Sequence, residues 1–159
     1  MLLRFTKASH SERPHTLTCA RDDGSTAGQR STDFFVYHDL THYAVETELG
    51  LADAFYGLIN RGWDFSSFEE RDPGSRKSRS LPPQAYFAEI VVGAFDLERA
   101  AGRIPNEDLL AHIESSCSAS NLEIPPLDVD SLERIRLHRN ELFKQWAAIA
   151  PGEELRLTL

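Results

Sequence analysis

The sequence predicts an α+β domain, with about five helices packed beside a small antiparallel sheet of three or four strands. Three observations lead there. Segments near both ends (LLRFTK, HTLTCAR and EELRLTL) alternate apolar with polar residues, the period of a half-buried strand. The chain between them carries apolar residues at helical spacing, punctuated by Gly and Pro at the expected ends. No apolar run approaches the ~20 residues of a membrane span. At 159 residues, 41% hydrophobic and 26% charged, the chain suits one domain, 1–159, with a real core and is short for two.

Each element has its own reason. Residues 2–7 read as a strand, followed by a polar loop and a second strand at 15–21, where Leu17 and Cys19 alternate with Thr16 and Thr18. Asp22, Asp23 and Gly24 tolerate the positive φ of a hairpin turn, so 25–30 return as a third strand, weakened by Gly28. Ser31, Thr32 and Asp33 offer capping oxygens to a first helix that starts at Phe34 or Phe35 and runs to Leu49. This helix is apolar on two sides, which places it inside the molecule, with Gly50 as its stop or kink.

Residues 51–61 form a second helix or a bent continuation, closed by Gly62 and followed by Trp63 and Phe65 as anchors. Residues 69–82 are rich in Pro, Gly, Ser and Arg and read as an exposed loop, a candidate lid over an anionic substrate. Pro83 suits the first turn of a third helix, 83–101. A fourth is expected over 107–116, and a fifth over 128–150 after the break at Pro125 and Pro126. Leu155, Leu157 and Leu159 then alternate as a last strand, whose natural edge is the N-terminal hairpin.

Composition narrows the function. A formal net charge of −8 argues against a general nucleic-acid binder, which needs a basic surface for phosphates. The start, MLLRFTKASH, lacks the apolar core of a secretory signal, so a soluble cytoplasmic protein without a membrane partner is expected. Cys19 and Cys117 lie far apart and read as buried thiols rather than a metal or disulfide pair. Signatures of a nucleophile elbow, a P-loop or a dinucleotide fold are absent from the sequence.

The concentrated chemistry lies in FFVYHDLTHYAVETEL. His38, His42 and Glu46 are spaced i, i+4 and i+8, so they rise along one stripe of a helix. Two imidazoles and a carboxylate so placed suit a divalent metal ion such as zinc. Glu89, alone among apolar residues in AYFAEIVVGAF, competes with Glu46 for the third position, because a buried carboxylate needs a cation or a partner. Ala85 and Gly93 flank it, and small neighbours would let another helix approach.

The expected ligands are therefore His38, His42 and Glu89, with Asp39 and Glu46 as catalytic carboxylates and Tyr43, Tyr56 and Tyr86 as possible donors. The function this implies is a metal-dependent hydrolase of a small molecule. Two other outcomes stay open. One is a metal with a purely structural part; the other is a non-catalytic interaction module whose His and Glu residues form a buried network, for instance at a homodimer contact.

The i, i+4 histidines share their spacing with HExxH metalloproteases, but no Glu follows His38. His38-Asp39 resembles the dyad of metal-dependent phosphohydrolases, which implies further His and Asp ligands. His10, His15, His112, His138 and Asp96 are the residues available. HDLTH is also similar to the HDxxH zinc motif of a coenzyme Q biosynthesis family. There an acid follows the second His after eleven residues, a position held here by Ala54, with Asp53 one short. The shared string covers five of 159 residues, and neither family is assigned on it.

Overall fold

A computed structural model describes residues 1–10, 13–68 and 81–159. Its strands are β1 (Leu2–Thr6), β2 (His15–Ala20), β3 (Thr26–Ser31) and β4 (Glu154–Thr158). Its helices are α1 (Asp33–Leu49), α2 (Phe55–Asn60), α3 (Pro83–Ala101), α4 (Asn106–Ala119) and α5 (Val129–Ala148). The protein is α+β, as its sequence predicts. The loop expected at 69–82, and the lid read into it, fall mostly on residues outside those described.

The sheet is antiparallel throughout, in the order β3-β2-β1-β4. Its register sets Leu3 beside Cys19 and Leu157, and Phe5 beside Leu17 and Leu155. Leu3, Phe5, Leu17, Cys19, Ala27 and Leu155 are all buried. One face of the sheet is thus apolar and covered by helices, which is what the period of two requires. The C-terminal strand pairs with β1, on the opposite side from β2.

α1 occupies the centre of the helical layer. It packs against α3, α5 and α2 and lies across β2 and β3. From Asp39 to Glu46 every residue of α1 is buried, in keeping with a helix that is apolar on two sides. Its first turn departs from that expectation: Phe34 and Phe35 are 51% and 52% exposed. Gly50 stops the helix in the left-handed region, at φ 64°, and its N–H bonds back to the Glu46 carbonyl.

α2 is shorter than the helix expected over 51–61. Leu51 N–H still bonds to the Glu46 carbonyl, and the chain then turns before restarting at Phe55. Gly57 explains the tightness of this turn, since a Cβ at that position would overlap the Ala52 carbonyl. A short 3-10 turn, Phe65–Phe68, follows α2. α5 begins where Asp128 caps Ser131 N–H at 2.7 Å.

A buried ion cluster joins α3 to α5. Glu98 accepts bonds from Arg136 Nη2 at 2.7 Å and from Arg139 Nη2 at 3.0 Å, and it also accepts from Ile104 N–H. This cluster is not among the sites expected from the sequence. Its signal is Arg136 and Arg139 on the same stripe of α5 as Leu132, Ile135, Leu142 and Trp146, all buried. Among the described residues no helix is long and apolar enough to cross a membrane.

Candidate metal centre

His38 and His42 stand one turn apart on α1, with ring centroids 4.8 Å apart. α3 runs antiparallel beside them, so Glu89 meets His42 and Asp96 meets His38. His42 Nε2 lies 3.4 Å from Glu89 Oε1. Two donors bound tetrahedrally to one ion at about 2.1 Å stand about 3.4 Å apart, so this pair already has the required spacing. Ligand atoms of His38, His42 and Glu89 all lie within 4.8 Å of one another. Closure on a single ion asks only for small side-chain adjustments.

Both imidazoles are backed by carboxylates. His38 Nδ1 is 2.7 Å from Asp96 Oδ2, and His42 Nδ1 is 3.2 Å from Glu46 Oε1. A carboxylate at Nδ1 fixes the proton there, orients the ring and leaves Nε2 as the free donor atom. Metal-binding histidines characteristically have such a partner. Glu46 spends its other oxygen on Tyr56 N–H at 3.0 Å, in the first turn of α2. Its carboxylate is therefore occupied on both sides, by His42 and by the backbone.

Glu89 does not sit as its apolar surroundings suggest. It is 46% exposed, whereas Glu46 and Glu98 are the buried glutamates. The run AYFAEIVVGAF hides a helical period: Ala88, Val91, Val92 and Phe95 turn inward, while Tyr86, Glu89, Gly93 and Leu97 turn outward. Ala85 is buried, but the closely approaching helix expected at Gly93 is not found, and a Cβ there would meet nothing within 4 Å among the described residues.

Asp39 lies about 100° round α1 from His38 and is buried. Its carboxylate accepts from Gln29 Nε2 of β3 at 3.4 Å, and the converging triad of His38, His42 and Glu89 does not include it. Burial pushes the Asp39 carboxyl up to about 7, against the pull of His42 and His38. Burial by itself would lower His42, but its bonds to Glu46 and Glu89 outweigh this and raise it to about 10. Burial raises Glu46. In Glu89 and Asp96 burial is opposed and overcome by the histidine each one faces, so both carboxyls titrate low.

The other sequence candidates are accounted for. Tyr43 O–H donates to the Thr158 carbonyl and Tyr56 O–H to the Asp39 carbonyl, while Tyr86 is exposed on α3. His15 pairs with Asp33 and His138 with Glu48, both apart from the centre. Of the residues available to the phosphohydrolase dyad only Asp96 reaches His38, and it does so behind the ring. Sequence reasoning gave Asp96 no positioning part, since its only local signal is the seven-residue spacing from Glu89. Both cysteines are free and buried, and burial pushes the Cys19 thiol up to about 12.

Comparison with known proteins gave no match, whether to a family model, to a curated protein or to a solved structure.

Proposed function

We propose that the protein is a metal-dependent hydrolase of a small molecule, with His38, His42 and Glu89 as ligands of a divalent ion, zinc being the first choice. The observation that carries the reading is the carboxylate behind each imidazole: Asp96 at His38 and Glu46 at His42. A carboxylate at each Nδ1 leaves the coordinating to Nε2, and at His42 that nitrogen already faces Glu89. Three protein ligands leave open positions for water and substrate, the pattern of a catalytic rather than a structural site.

An ion held there would lower the pKa of a bound water and polarise a carbonyl or phosphoryl oxygen. The residues of this chain supply the rest. Glu46 and Asp96 fix the two rings, and Glu46 also ties His42 to the start of α2. Asp39, one residue along from His38, is turned toward Gln29 of β3 and would reach a proton of the attacking water only by a change of rotamer. The half-exposed position of Glu89 puts the open side toward solvent, where substrate arrives.

A second reading is a non-catalytic module, and one observation favours it. A protonated His42 between Glu46 and Glu89 is a satisfied ion network without any metal. Hydrolysis separates the two readings. Protein reconstituted with zinc, manganese or iron(II) is assayed on aryl esters, amides, lactones and phosphate esters, beside the His38→Ala, His42→Ala double variant. Turnover that needs both metal and histidines supports the hydrolase. Metal-loaded protein inactive on every class would favour the module.

A further inference from the structure

Gly93 has no role in the packing of the described chain. It sits in the interior of α3, where glycine is disfavoured relative to alanine, and its φ is not positive. A Cβ there would touch nothing within 4 Å among the described residues. Among the described residues no neighbouring helix, tight turn or strained backbone calls for it. Its position supplies a different reason. Gly93 lies one turn from Glu89 and about one turn from Asp96, on the outward side of α3 that faces His42 and His38. It is a bare stretch of helix beside the proposed ligands, where something from outside can lie against the backbone.

The His38 end of the centre carries exposed aromatic rings. Phe34 is stacked on His38, with centroids 6.3 Å apart and planes 17° from parallel, and Phe35 meets the same imidazole edge-on. Phe34 is held in turn by Phe35 and by the Arg99 guanidinium, 4.9 Å from its ring. Both phenyl groups are about half exposed, yet each is fixed by named contacts. On the other side, Phe55 lies 5.0 Å from His42 and continues into Phe65 and Phe68. The imidazoles are thus bracketed by rings. Among the described residues, the charged side chains that meet the two rings are the carboxylates of Glu46, Glu89 and Asp96, with Arg99 beside Asp96, so a divalent ion there would be largely neutralised.

We infer that the substrate is a flat, largely apolar carbonyl compound, uncharged or singly charged, that lies over Gly93 with its aromatic body against Phe34 and Phe35. The inference rests on the metal reading above. Stacking on fixed rings gives orientation as well as affinity, and the bare α3 backbone admits a planar group where any larger side chain would stand in the way.

The probes are benzohydroxamate and acetohydroxamate, which share one chelating head and differ by the ring. Binding of each to zinc-loaded protein is measured by titration calorimetry, with zinc content determined in parallel. The expected result is that benzohydroxamate binds at least tenfold tighter. Gly93→Leu and the Phe34→Ala, Phe35→Ala double variant should lose that preference while zinc content stays at the wild-type level. Gly93→Ala, a smaller change that suits a helix, should lose part of it with the thermal midpoint unchanged or raised. Equal binding of the two probes by zinc-loaded protein, or a preference that survives Gly93→Leu, would overturn the inference and leave the metal centre standing. Failure to retain zinc at all would overturn both.

Discussion

Asp96 and Glu46 decide whether two histidines are a metal site or a pair of core residues. Each holds one ring at Nδ1. Loss of such a partner characteristically weakens metal affinity by about 10- to 100-fold without removing a ligand. Asp96→Asn is therefore expected to weaken zinc binding by that factor, measured by competition with a chelator, while the far-ultraviolet circular dichroism stays unchanged. Unaltered affinity would mean that His38 is not a ligand. The histidines themselves are legible from their i, i+4 spacing, whereas Asp96 comes from 58 residues further along and has no local mark of its part. Glu89 was singled out as a carboxylate buried among apolar residues; it is placed beside His42 but on the solvent side of α3.

Glu98 belongs to the same scale, with a structural task. Burial alone would raise its carboxyl, but the bonds from Arg136 and Ile104 and the charges of Arg136 and Arg139 hold it below its ordinary 4.5. The unfolded chain therefore binds the proton more readily. The stabilisation from Glu98 is present above 4.5 and is lost as pH falls through the lower folded value. Glu98→Gln takes from buried Arg139 its carboxylate partner and leaves Arg136 with Glu133 alone, and should cost about 3–5 kcal/mol at neutral pH. Urea midpoints taken stepwise from pH 7 downward should show wild type and variant converging in acid. A constant gap at all pH values would contradict this assignment.

The junction of α1 with α2 is the element that carries the site. Glu46 reaches from α1 to the Tyr56 N–H, so the turn between the helices and the orientation of His42 share one carboxylate. Gly57 permits that turn by leaving room for the Ala52 carbonyl. Gly57→Ala is expected to destabilise the fold by at least about 1–3 kcal/mol, as overpacking against backbone does, and to reduce metal affinity as Glu46 shifts. Thermal melts with and without zinc check both effects. A variant as stable as wild type would show that the turn relaxes freely. Sequence periodicity placed all five helices, yet it overextended α2, because the tight local turn that brings the Ala52 carbonyl against Gly57 leaves no mark in the apolar period. It also read α1 as wholly internal, since Phe34 and Phe35 continue its apolar face into a first turn that is half exposed.

At the scale of the whole molecule, the two ends of the chain meet in one sheet. β4 covers the free side of β1, and Leu155 adds to the apolar face against which the helices pack. Alternation alone foretold this pairing, because a lone amphipathic strand needs an edge and the hairpin offers one. Deleting residues 153–159 should cost upward of about 2 kcal/mol from the lost burial of Leu155 alone. Denaturant unfolding of the truncated protein would show this as a lower midpoint. An unchanged midpoint would mean that β4 is an ornament on a self-sufficient three-stranded sheet.

The sheet and α5 together hold α1 in the interior, and α1 in turn presents His38 and His42 to α3. The account of function depends on a cation at that meeting point. Its most direct test is the metal content of untagged protein, purified from metal-replete cells and measured by elemental mass spectrometry beside a folded His38→Ala, His42→Ala variant. The account predicts close to one divalent ion per chain in the wild type and none in the variant. Folded wild-type protein that carries no metal and takes up none on addition of zinc, manganese or iron(II) would contradict it.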